Sequence, residues 1–79
     1  MNLTKRKQNE KDFENWEETS FGRKYWFDVL GRNGGKARYV KEVDSNEVTV
    51  EFRQEIFDRE GKMIEIHEKF PIDKGHKKV

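Results

Sequence analysis

From Arg23 onward, apolar and polar residues alternate with the period of a half-buried strand. In Val48 to Phe57, Val48, Val50, Phe52 and Ile56 oppose Thr49, Glu51, Arg53 and Glu55. Arg23 to Leu30 and Lys36 to Val43 are rich in the aromatic and β-branched residues that suit a pleated surface. Lys62 to Phe70 reads as a further strand, ended by Pro71. The breaks carry turn chemistry. Asn33-Gly34 is a strong hairpin signal, Asp44-Ser45-Asn46-Glu47 is polar, and Asp58-Arg59-Glu60-Gly61 ends on a glycine suited to a left-handed position. The pattern predicts a mainly β (α+β) domain. It would be a four-stranded antiparallel meander, order 1-2-3-4, with a short N-terminal helix or packed loop.

Turn positions predict the register, and register predicts the faces. A two-residue turn at Asn33-Gly34 sets Leu30 opposite Ala37. One at Ser45-Asn46 sets Tyr39 opposite Phe52, and a Gly61 bulge sets Ile56 opposite Ile64. One face then gathers Trp26, Leu30, Ala37, Tyr39, Val43, Val48, Val50, Phe52, Ile56, Ile64, Ile66 and Phe70 as a core.

Two segments fall outside this pattern. Residues 1–11 hold Lys5, Arg6, Lys7 and Lys11 and almost nothing apolar, which predicts a flexible charged tail or a basic arm. The single domain would then span 12–79. Phe13 and Trp16 are three apart and would share one face of a helical turn laid on the sheet. Residues 71–79 read as a basic C-terminal tail, with Asp73 and His76 close in sequence.

The opposite sheet face suggests chemistry. Tyr25, Phe27, Val29 and Val40 would form an apolar patch there, and such a patch normally needs a partner or a second copy of the chain. The same register places Arg53 opposite His67 and Glu55 opposite Glu65. On a solvated face these are ordinary charges. Read as a site, a carboxylate is a general base, His67 an acid and Arg53 an anion holder, with His76 as a further candidate. Tyr25 and Phe27 beside Arg38 and Arg53 could also stack and hold single-stranded RNA.

Composition narrows the classes. The 79 residues are 42% charged, 32% hydrophobic and 13% aromatic; the aromatic share favours a folded domain over a disordered chain. Lys and Arg total 17 against 16 Asp and Glu, so at net +1 nothing draws the whole molecule to nucleic acid. There is no Cys, which excludes disulfides, thiol catalysis and thiolate metal sites. No metal or cofactor is expected. No apolar run is long enough to span a membrane, so a cytoplasmic protein is expected, and charge of both signs fits a hot environment as well as a soluble surface.

Asp58-Arg59-Glu60-Gly61, the following Met63-Ile64, the ending Asp73-Lys74-Gly75-His76 and the early Tyr25-Trp26 pair carry a family resemblance. With these the chain resembles the TumE-type toxins of prokaryotic toxin–antitoxin pairs and their small relatives. It departs from them in a longer gap between Gly61 and Asp73 and in Lys-Gly before His76. The resemblance implies a toxin-like, RNA-acting protein that binds an antitoxin through its open face. Three expectations stand together. The first is an interaction module with a protein partner or a second copy, in a toxin–antitoxin-like system. The second is an RNA-binding protein or metal-independent ribonuclease, and the third a structural subunit.

Overall fold

A computed structural model describes residues 1–79. A helix, α1 (Leu3–Asp12), precedes six strands: β1 (Asn15–Glu18), β2 (Gly22–Leu30), β3 (Lys36–Asp44), β4 (Thr49–Phe57), β5 (Met63–Phe70) and β6 (Gly75–Lys78). The strands form one open sheet in chain order, each antiparallel to its neighbour. The mainly β class and the meander hold; the strand number is six rather than four. The added strands are short edges. β1 replaces the predicted helical turn, and β6 occupies the predicted basic tail. Neither carries a clear apolar alternation, so the backbone ladder rather than side-chain burial defines them.

A short N-terminal helix is present as expected, but it lies at Leu3–Asp12, in the segment read as a charged tail or basic arm, and not at Phe13 to Trp16. Asn2 caps it, its side chain accepting from the Lys5 amide at 3.0 Å. Leu, Lys, Arg, Gln and Glu favour the helical state, and Gln8 reaches Asp12 one turn on at 2.9 Å. The helix has no apolar stripe; its one buried residue is Asn9. It docks through polar groups. Arg6 and Asn9 both donate to Glu47 in the turn between β3 and β4, at 3.2 Å and 3.3 Å. Helical periodicity of apolar residues could not have revealed such a helix. Phe13, directly after it, packs on Tyr25 and Phe27, with ring centroids 6.0 Å and 5.5 Å away.

Two hairpins sit one residue out of the predicted register. Leu30 pairs with Lys36 and Trp26 with Val40. The link Gly31 to Gly35 is a short 3-10 turn closed by a Gly31 N–H to Gly35 carbonyl bond of 2.9 Å, not a two-residue turn at Asn33-Gly34. Tyr25, Phe27 and Val29 therefore join the face of Tyr39 and Val43, and Trp26 and Leu30 leave it. In β4–β5, Phe57 pairs with Met63 as the turn requires, but a bulge shifts the ladder so that Ile56 meets Glu65 and Gln54 meets His67. Ile64 and Ile66 consequently leave the predicted core face. β3–β4 is displaced by an even number of residues along its middle, so Tyr39, Phe52 and Ile56 keep their predicted shared face.

The resulting core is thin. Phe13, Tyr25 and Val43 are buried together, with Phe27 and Phe52 partly buried around them. Leu30 is 85% exposed, and Val48, Val50, Ile64 and Phe70 are also exposed, against the predicted core. The radius of gyration is 13.3 Å, where a compact chain of this length would have about 12 Å. No helix is long and apolar enough to cross a membrane.

Candidate functional site on the helix-bearing face

The two sheet faces are chemically different. On the bare face, Val40 is fully buried in the row between Trp26 and Arg53. Arg53 bonds to Glu42, Glu51 and Glu55. Burial works against its charge, but the three carboxylates together raise its pKa. Arg38 holds Asp28 through two bonds, 2.8 Å and 3.2 Å, and Lys36 lies 3.5 Å from the same carboxylate. Those bonds from Arg38 hold the Asp28 carboxyl below the usual range. Most cations of this face are answered within the molecule; Lys77, opposite Ile66 on β6, is the exception.

The helix-bearing face is covered at one end only. Beneath α1, the Tyr25 hydroxyl donates to Glu47, which is 2% exposed and also takes the bonds from Arg6 and Asn9. Burial opposes the charge of Glu47, and its donors, Tyr25 first, outweigh burial and hold its pKa low. Burial, then the Glu47 carboxylate, pushes the Tyr25 pKa up. Arg23 lies 3.6 Å over the Trp16 ring and reaches Glu10 at 2.8 Å.

Beyond α1 the face opens, and one cross-strand row runs Phe27, Tyr39, Gln54, His67, His76 from β2 to β6. Phe27 and Tyr39 stack with centroids 5.1 Å apart and an interplanar angle of 20°. Gln54 donates to the Tyr39 hydroxyl at 3.1 Å. The His67 and His76 rings lie 4.5 Å apart. His67 Nε2 is 2.6 Å from Asp73 Oδ1, and His76 Nδ1 is 2.9 Å from Glu65 Oε1. The Gly75 amide, then His67, holds the Asp73 carboxyl below its usual range. Lys69 lies over Tyr39 with Nζ 5.5 Å from the ring centre, and Lys41 lies 5.9 Å from that of Phe13 while donating to Asn9 at 2.7 Å. Neither lysine meets a carboxylate within 4.0 Å. Beside Lys41 an open groove of about 410 Å³ is lined by Phe13, Lys41, Thr49, Phe52 and Phe70.

This geometry redistributes the predicted site residues. Glu55 pairs with Ile66 and bonds Arg53 on the bare face, away from Glu65, His67 and His76. Arg53 pairs with Glu68, not His67. Glu65, His67 and His76 do come together, and the partner that joins them is Asp73. The predicted apolar patch is dispersed: Tyr25 is buried under α1, Phe27 lies against Phe13, and Val40 is buried on the other face. Of its members only Val29 is exposed. Of the predicted RNA contacts, Arg38 and Arg53 are engaged by carboxylates and Tyr25 is buried; Phe27 alone joins the open row. Tyr39, Gln54, Lys41 and Lys69 were missed. Tyr39 was read as core, and the lysines carry no sequence signal distinguishing them from solvated charges.

The chain matches no protein-family model, no curated protein and no solved structure.

Proposed function

We propose that the protein binds single-stranded RNA along the open half of its helix-bearing face. The observation that supports this is the row Phe27–Tyr39–Gln54–His67–His76, flanked by Lys41 and Lys69 with no carboxylate on either. Rings offer stacking to bases, and cations without carboxylate partners offer charge to phosphates. A second copy of the chain fits this face less well, because it would bring Lys41 and Lys69 against like charges.

The test is an amide NMR titration with a short mixed-sequence RNA at two salt concentrations. Shifts should centre on Tyr39, Gln54, His67 and His76 and weaken with salt. Lys69→Glu should lower affinity and reduce the salt slope by about one phosphate contact. Lys74→Glu should do less, since Lys74 is paired with Glu68 at 2.9 Å. Binding that is insensitive to salt and to Lys69 would reject the reading.

A second reading, an interaction module in a toxin–antitoxin-like pair, is favoured by the thin core and the Phe13–Phe52–Phe70 groove. It predicts that Phe70→Asp abolishes partner capture or self-association, measured as mass in solution. An unchanged mass and unchanged capture would remove its basis.

A further inference from the structure

We propose that His76 is the general base of a phosphodiester-cleaving site, with Glu65 as its positioning residue and His67 excluded from proton transfer. This rests on the RNA-binding reading above and assigns the chemistry of the same row.

The two imidazoles are neighbours with opposite availability. His67 uses Nε2 toward Asp73 at 2.6 Å, while its Nδ1 is buried without a hydrogen-bond partner. Its side chain is 15% exposed. Neither nitrogen can meet a substrate in this arrangement. His76 turns Nδ1 toward Glu65 at 2.9 Å, and its side chain is 46% exposed. A carboxylate at Nδ1 favours the tautomer with the proton there and leaves a lone pair on Nε2, which faces away from Glu65. The same contact fixes the orientation of the ring. The groups facing His76 are Glu65 and His67 of β5 and Asp73 of the preceding turn, with Lys78 beside it on β6 opposite Glu65.

An RNA linkage suits a site with one available base and nearby cations. His76 Nε2 removes the proton of a ribose 2′-hydroxyl. The 2′ oxygen bonds to phosphorus, the bond from phosphorus to the 5′ oxygen breaks, and that oxygen takes a proton from water. The imidazolium then returns its proton to water. The products are a 2′,3′-cyclic phosphate and a 5′-hydroxyl, and no metal or external reactant enters the balance. Lys69 and Lys78 lie on the same face as sources of positive charge for the phosphate.

The experiment follows cleavage of uridylyl-3′,5′-adenosine by the full chain across pH, with the 2′-deoxy dinucleotide as control. Wild type should cleave the first and leave the second intact. His76→Ala should lose at least about a hundredfold in kcat/KM, the scale of one general base. Glu65→Gln should lower kcat with KM little changed, and Glu65→Asp should restore part of the rate; a merely structural role would move KM as well. His67→Gln should lose less than His76→Ala, because it removes a neighbour of the base and a member of the binding row rather than the base itself. NMR spectra of each variant check the fold. Absence of wild-type cleavage, loss of activity in His67→Gln with retention in His76→Ala, or cleavage of the deoxy control would each overturn the assignment. RNA binding without cleavage would overturn this inference and leave the binding reading standing. Dinucleotide cleavage without salt-dependent binding of longer RNA would uphold the site and overturn the extended binding face.

Discussion

On the bare face, Lys24, Lys36, Arg38, Arg53 and Lys74 each meet a carboxylate. On the open half of the helix-bearing face, Lys41 and Lys69 meet aromatic rings instead. Both faces belong to the same strands, and neither is covered by a second layer along its whole length. The difference shows two ways to finish an exposed sheet. One face pairs most of its cations, Lys77 excepted, and covers Val40 with long side chains. The other is closed at one end by α1 and ends in a row of rings and imidazoles, flanked by cations that meet no carboxylate. The unpaired half is where recognition chemistry has room to act.

The largest expected effect comes from breaking the closed end. Glu47 joins α1 to the β3–β4 turn and holds the buried Tyr25 hydroxyl, so Glu47→Ala removes the acceptor for Arg6, Asn9 and Tyr25 together. Removing one member of a buried charged network costs about 3 kcal/mol, readable in a denaturant titration. Amide exchange in α1 should rise toward that of a free peptide, because the helix has no apolar face to hold it. A variant of wild-type stability with a protected α1 would show that the helix docks by something other than this network.

The next effect tests the bare face. Arg53→Met keeps side-chain bulk but leaves Glu42, Glu51 and Glu55 without their cation, with Glu55 only 7% exposed. At neutral pH a loss of about 2 kcal/mol is expected, between the values for an exposed and a fully buried pair. The three carboxylates of the variant repel one another, and added salt screens that repulsion. The deficit should therefore shrink in high salt, and equal deficits at low and high salt would refute the account. Because Arg53 lies on the bare face, RNA binding at neutral pH should be preserved where the variant remains folded.

Much of this architecture was legible in the alternation of Val48 to Phe57 and in the turns at Asp44 and Asp58. These mark strands and their sequence without requiring exact pairing. Faces were less legible, since a side chain changes face with every single-residue step. The Gly31–Gly35 link closes one residue earlier than the Asn33-Gly34 signal suggests, which carries Tyr25 and Phe27 to the core side. The bulge at Ile56/Phe57 does the same to Glu65 and His67 after a turn that was placed correctly. That single shift separates Glu55 from His67 and gives His67 the row of Tyr39 and Gln54. α1 was illegible for another reason: Arg6, Asn9 and Glu47 dock it by polar contacts, and Glu47 is distant in sequence. The meeting of His67 with Asp73 and of His76 with Glu65 depends on β6, whose sequence Gly75-His76-Lys77-Lys78 looks like a solvated tail.

The smallest effect concerns the Asp28–Arg38 pair and sharpens what self-satisfied means on the bare face. The bonds from Arg38 favour the Asp28 carboxylate in the folded state, so its folded pKa lies below that of the unfolded chain. The folded state binds that proton less readily. The pair's contribution is therefore present above the ordinary aspartate range and lost as pH falls through the depressed folded pKa. Both side chains remain partly exposed, 26% for Arg38 and 31% for Asp28, so solvent screening limits the contribution to about 0.5 kcal/mol. Asp28→Asn should lower stability by that amount at pH 7 in low salt, with the difference fading in high salt and below pH 3. Such a small response, beside the large one at Glu47, would mean that the bare face neutralises charge without holding the fold together. A loss of 2 kcal/mol or more at Asp28 would reverse that conclusion and make the ion pairs, rather than the helix clamp, the principal support of the sheet.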